Sequence, residues 1–464
     1  MANAFENRLT RRRFLQQSTA LAALGVGTTL TPDLIYAESK ADLKGVTIDY
    51  WNMIGVQNKI VREQSEAIVK AFEQKTGCKV NVTWNSYGDI IGPKYRTNFL
   101  GGVKPTVFDA ASRWIGQLRR FLRPFDDFVA NELDASTRDA IAWMFPLFER
   151  ENRGFKDAKT QYSMPLNLVM QAPYILNRDH WDKAGIDFDK NYPIRDSDHY
   201  IELCKEIKAK AGIPYPTEVY GKIWDFADTQ LNGWIRSVDK ATSDFLNDDW
   251  TKSNATSDAW LKGVQFYVDI FRKYDLSSPN TPQSTDEQAV DQFIAGQKSI
   301  VHCDLLNRGT LLTKLPDAVN SGRVVWGPQF PLAGHHSGSQ CFLAINTFHI
   351  VKQDGPDAAL KERAAWEFIK EWLAADNALA VSRSSGLSGR RDVWEQLKGE
   401  ADRSTDAAIA TIGDDPGVWN NHPRSVDFQY NLIAPHGQKM LQGAPVADEL
   451  AAYAKEVDAA LREG

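Results

Sequence analysis

The chain has 464 residues, a quarter of them charged, with a formal net charge of -6 and 43% hydrophobic side chains. This is the composition of an ordinary globular protein, and its acidic balance argues against a nucleic acid or an anionic membrane as the partner. The four cysteines, at 78, 204, 303 and 341, have neither the density of a disulfide scaffold nor the C-x-x-C spacing of zinc and redox sites.

At the N-terminus, Thr10-Arg11-Arg12-Arg13-Phe14-Leu15 is a paired-arginine segment followed by an uncharged Ala- and Leu-rich stretch, from about Ser18 to Leu30, too short to span a bilayer. Leu34-Ile35-Tyr36-Ala37 offers a small residue at a cleavage position, so residues 1–37 are read as a bacterial twin-arginine export signal cut after Ala37. No cysteine follows before Cys78, so a freely diffusing periplasmic protein is expected rather than a lipid-anchored one. Removing four Arg and two acidic residues with this segment leaves a formal charge near -8. What remains is longer than a single hydrophobic core sustains, and two domains are expected.

Val46, Ile48 and Tyr50 alternate with polar neighbours and predict a first strand ending near Trp51-Asn52. Ile60, Val61, Ala67, Ile68, Ala71 and Phe72 then recur at helical spacing, with Gly77 where a helix is capped. Val80, Val82 and Trp84 mark a second strand, making a parallel crossover unit whose strand-end loops contact ligands in α/β folds. Trp51 and Tyr87 fall in such loops. Thr106-Val107-Phe108-Asp109 predicts a third strand, running into Ala110-Ala111-Ser112-Arg113-Trp114. Pro165 to Met170 and Tyr174 to Asn177 read as extended pieces that carry the chain to a second domain. From about 178 to 300 the pattern is mostly helical, including Trp260 to Tyr274; Ala358 to Ala375 and Val446 to Leu461 are late amphipathic helices whose Trp and Leu stripe belongs to a core.

Several stretches carry a family resemblance. Ala71-Phe72-Glu73-Gln74-Lys75-Thr76-Gly77-Cys78-Lys79-Val80, Leu122-Arg123-Pro124-Phe125-Asp126-Asp127, Tyr162-Ser163-Met164-Pro165 through Tyr174-Ile175-Leu176-Asn177-Arg178-Asp179, Lys183-Ala184-Gly185-Ile186-Asp187, Phe293-Ile294-Ala295-Gly296-Gln297-Lys298 and Phe330-Pro331-Leu332 occur in the order found in extracellular solute-binding proteins of ABC importers. The chain resembles the group of that family with many sugar-binding members. One departure is Pro193-Ile194-Arg195-Asp196-Ser197, where the family usually opens a helix with Thr-Trp-acid.

The resemblance implies an α/β, two-lobed periplasmic-binding-protein fold of the class II type, with hinge strands and lobes closing over a cleft. Its first lobe would combine residues 38–165 and 300–350. The second, helix-rich lobe would hold 166–299 and 351–464. Also implied are a small-molecule ligand, most simply a sugar, delivery to inner-membrane permease subunits, a monomer, and neither cofactor, metal nor catalysis.

A sugar site needs aromatic faces for C–H surfaces and paired donors and acceptors for hydroxyls. The candidate ligand-binding residues are Trp51, Asn52, Tyr87, Asp109, Arg113, Trp114, Asn167, Trp234, Asp304, Asn307 and His335. Core filling is the competing reading for each Trp, and helix capping for Asp109 and Asp304. His335 and His336 are adjacent and point different ways, which disfavours a shared metal. Motifs of the H-E-x-x-H, G-x-S-x-G and G-x-x-x-x-G-K kinds are absent, and Gly386-Leu387-Ser388-Gly389 misses a nucleophile elbow by one residue. The alternatives are a non-sugar solute, such as a polyamine, organic phosphate or small acid, and an exported enzyme acting on polysaccharide or carrying a cofactor.

Overall fold

The computed structural model describes residues 42–56, 58–86, 88–89, 93–170, 173–222, 231–336 and 341–463. Residues 1–37, expected to be an export signal, and Tyr87 lie outside the described residues.

β1 (Thr47–Asn52) buries every second residue, as its alternation predicts. α1 (Lys59–Thr76) follows, its first turn capped by the Asn58 side chain accepting from the Val61 N–H. It ends at Gly77 with φ 72°, a left-handed conformation that glycine adopts without strain. β2 (Lys79–Trp84) returns parallel to β1. After α2 (Pro93–Leu100), β3 (Val107–Ala111) lies parallel on the other side of β1 and feeds a 3-10 helix, Ser112–Phe121. The carboxyl ends of β1, β2 and β3 therefore share one edge of the sheet.

The chain continues through α3 (Phe145–Glu151) into β4 (Met164–Met170), then into β5 (Tyr174–Asn177) of a different sheet. α4 (Leu231–Val238) and α5 (Asp258–Arg272) precede β6 (Ile300–His302) and β7 (Val324–Gly327). β8 (Phe342–Ile350), α6 (Ala358–Leu373), β9 (Leu387–Ser388), β10 (Gly417–Val418) and α7 (Val446–Glu463) complete the elements needed below. The first sheet runs β2-β1-β3-β8-β4-β9, with β10 also on β8; the second runs β6-β5-β7.

The two sheets form the two lobes of a periplasmic-binding-protein fold. Tyr174, at the start of β5, pairs with His302 and Gly327, the last residues of β6 and β7. Met170, at the end of β4, pairs with Leu343 near the start of β8. The connections from β4 to β5 and from β7 to β8 thus join one edge of each sheet, and the edge they use on the first sheet is the one carrying the ends of β1 and β3.

Strand pairing divides the chain differently from the expected boundaries. β6 and β7 flank β5, so residues 300–327 belong with the second sheet, and the return to the first sheet begins at Phe342. Expected in the second lobe, α6 instead packs under the first sheet, Phe368 and Trp372 meeting Tyr50 edge-on at 5.1 and 6.4 Å. α7 does join the second lobe, burying Tyr453 and Val457 in the core that holds Trp234 and Trp260. Short apolar strands announce burial but not their partners, which explains the shifted boundaries. All four cysteines are buried and unbridged, and burial pushes the thiols up, to about 11 at Cys78 and about 12 at Cys341.

Candidate functional site

The strand-end edge of the first lobe is built on a buried polar network. Tyr50 donates its hydroxyl to Asp109 at 2.7 Å, and Asn52 donates to the same Tyr50 oxygen at 2.8 Å. Asp109 also accepts the N–H groups of Met53 at 3.1 Å and Ile54 at 2.9 Å, while the Asn52 side-chain oxygen accepts from Gly55 at 2.6 Å. Burial pushes the Asp109 carboxyl up to about 6, against the pull of these hydrogen bonds. Asp109 and Asn52 therefore hold the 53–55 turn, and their polar atoms bond to the protein itself. Above them Trp51 is half-buried, its ring 5.0 Å from Tyr95 and 6.0 Å from Phe99.

At the end of β3, Arg113 and Trp114 are buried, with the guanidinium 5.0 Å from the indole centroid. Arg113 donates to the Tyr430 hydroxyl at 3.0 Å, and Trp114 lies 6.5 Å from the same ring. Tyr430 sits on a π-helical turn, Asp427–Leu432, an irregularity frequent at functional sites. Beside it Gln429 is buried, and neither end of its amide has a hydrogen-bond partner among the described residues. Sequence reasoning missed both residues, because no readable period marks a π-turn more than 300 positions from β3. Behind this group Ser112 donates to the buried Glu151 at 2.6 Å. Burial pushes that carboxyl up to about 8, with Arg113 and Arg150 pulling the other way.

Asn167, at a register shift in β4, donates to both oxygens of Ser385 and accepts from Asn346 at 3.0 Å. It pins Ser385, two residues before β9, to the sheet. In the second lobe the Asp304 side chain caps a short 3-10 turn by accepting from Leu306 at 2.9 Å, while the side-chain amide of the half-buried Asn307 has no hydrogen-bond partner among the described residues. This turn reaches the first lobe, since Asn58 donates to the Leu306 carbonyl at 3.3 Å.

Two candidates lie elsewhere. Trp234 is fully buried, with Phe266 at 4.7 Å, His302 at 5.1 Å and Phe330 at 5.8 Å around its ring, so its faces are covered by the lobe's own core. His335 lines a separate cavity of about 560 Å3 with Ser197, Phe266 and Val446. Among the described residues no group of three or more metal-ligating side chains is assembled. None of their helices is long and apolar enough to cross a membrane.

Residues 59–378 match the family model described as bacterial extracellular solute-binding protein. The chain belongs to that family. Solved structures agree in fold: a solute-binding protein of an ABC transporter from Thermotoga lettingae bound with alpha-D-tagatose is 18% identical, with a TM-score of 0.72 over 90% of this chain and 100% of that one. An ABC substrate-binding protein from Listeria monocytogenes in complex with cycloalternan is 15% identical, with a TM-score of 0.71 over 90% and 99% of the two chains. Maltose-bound MalE3 from T. maritima is 18% identical, with a TM-score of 0.69 over 89% and 99%. Among curated proteins none matches the chain.

Proposed function

We propose that this solute-binding protein captures a carbohydrate between its two lobes and delivers it, chemically unchanged, to an ABC permease of the inner membrane. It would work in the periplasm after export by the twin-arginine route. The observation that carries the reading is the junction of the two sheets, where strand-end loops of the first lobe meet the 304–307 turn of the second. Arg113, Trp114 and Tyr430 supply a guanidinium, an indole and a hydroxyl there, and Trp51, Tyr87, Asp304 and Asn307 complete the proposed lining. Asn52, Asp109 and Asn167 act one layer behind, holding the loops that carry those groups. The sugars bound by structures of the same fold support a carbohydrate over other solutes.

A ligand bound only by the folded state raises its melting temperature. A thermal-shift screen of the protein against monosaccharides, maltodextrins and polyamines should show a rise with one or more sugars. Stabilisation by a polyamine alone, or consumption of the added sugar, would overturn the proposal.

A further inference from the structure

A second cavity, of about 550 Å3, opens along the flank of the 3-10 helix Ser112–Phe121. It runs along that helix from Gly116, where Pro423 and Arg424 also line it, to Phe121, which accepts the Lys352 N–H beyond the last residue of β8 and so lies at the end of the first lobe opposite the sheet junction. Five cations, Arg96, Arg119, Arg120, Lys352 and Arg424, line it with the single acid Asp157. That acid is taken by Arg119 at 3.1 Å, and Arg424 pairs with Asp427 outside the cavity at 3.4 Å.

Arg96, Arg120 and Lys352 have no carboxylate partner among the described residues. Arg120 rests over the Phe121 ring at 4.7 Å, and Lys352 donates to the Arg120 carbonyl at 3.2 Å. Arg119 is clamped between Phe155 at 4.5 Å and Tyr162 at 4.3 Å. Arg119 and Arg424 are thus charge-paired, while ring and carbonyl contacts hold Arg120 and Lys352 without neutralising them. Such a local excess, in a chain of net charge -6, acts within a Debye length of about 8–10 Å and selects a compact anion with several acceptor oxygens. At the rim stands Leu100, 57% exposed, with Val103, 60% exposed, three residues on.

From this geometry we infer that the flank cavity is a phosphate-binding site, separate from the interlobe cleft. A soluble anion and a lipid headgroup both carry this phosphate chemistry; the exposed Leu100 and Val103 bring the second source into the test.

The test uses the full chain and Arg96→Gln/Arg120→Gln, two exposed positions whose replacement leaves the core untouched. Equilibrium dialysis against inorganic phosphate at low salt, and co-sedimentation with phosphatidylglycerol or phosphatidylcholine vesicles, separate the two sources. Binding of phosphate, or of phosphatidylglycerol but not phosphatidylcholine vesicles, should weaken about tenfold or more in the double variant. Further loss of vesicle binding in Leu100→Ser would assign the site to a headgroup, whereas saturation by inorganic phosphate without vesicle binding would assign it to a soluble anion. Absence of both kinds of binding, or binding that the double variant retains, overturns the inference. Melting temperature and response to the cleft ligand should not change in the variants, so failure of the carbohydrate reading would leave this result independent.

Discussion

At the ends of β1 and β3, polar side chains turn inward: Asp109 accepts from the Tyr50 hydroxyl and the Ile54 N–H, while Asn52 donates to Tyr50 and accepts from the Gly55 N–H. In the second lobe, Trp234 fills a core beside Phe266, His302 and Phe330, and its indole N–H has no hydrogen-bond partner among the described residues. One region uses polar groups to fix a loop, while the other uses an aromatic ring for volume. Residue type alone therefore does not identify a ligand contact, since both regions contain the residue types that a sugar site needs.

The sharpest way to break this contrast is Trp234→Ala. Removing a fully buried indole should lower the unfolding free energy by about 3–5 kcal/mol, read by urea denaturation. Unchanged stability with weakened sugar binding would return Trp234 to the site. Asp109→Asn should cost less, about 1–3 kcal/mol at pH 5, because an amide NH2 would face backbone N–H donors. The sign with pH follows from the raised carboxyl. Its contribution is fully present below the unfolded value of 3.8 and is lost as pH rises through about 6, so wild type and variant should converge above that pH in parallel urea titrations. A gap that widened with pH would show that Asp109 is better stabilised as the anion than its burial indicates. The smallest expected change in stability is that of Asn307→Ala, within about 0.5 kcal/mol, together with about a tenfold loss of sugar affinity by calorimetry. Unchanged affinity would remove Asn307 from the proposed lining.

Much of the first lobe was legible locally. Alternation at Ile48 and Tyr50, helical spacing through Phe72 and a glycine at 77 announce β1, α1 and the helix end, and the structure has them. The helix containing Trp260 and the two late amphipathic helices were equally readable. Less of the site was. Arg113 and Trp114 could be singled out at a strand end, but their neighbour Tyr430 could not, because that contact joins residues 317 positions apart.

Sequence by itself determined the periodic elements, the overall charge, the family and hence the two-lobed fold, because each is written in near neighbours or in ordered local motifs. Tertiary structure alone decided that β6 and β7 belong with β5, that α6 lies under the first sheet, and that Trp234 is enclosed while Asn307 is not. Those outcomes depend on which distant surfaces bury one another, and a one-dimensional pattern records how much a residue needs burial without naming its partner.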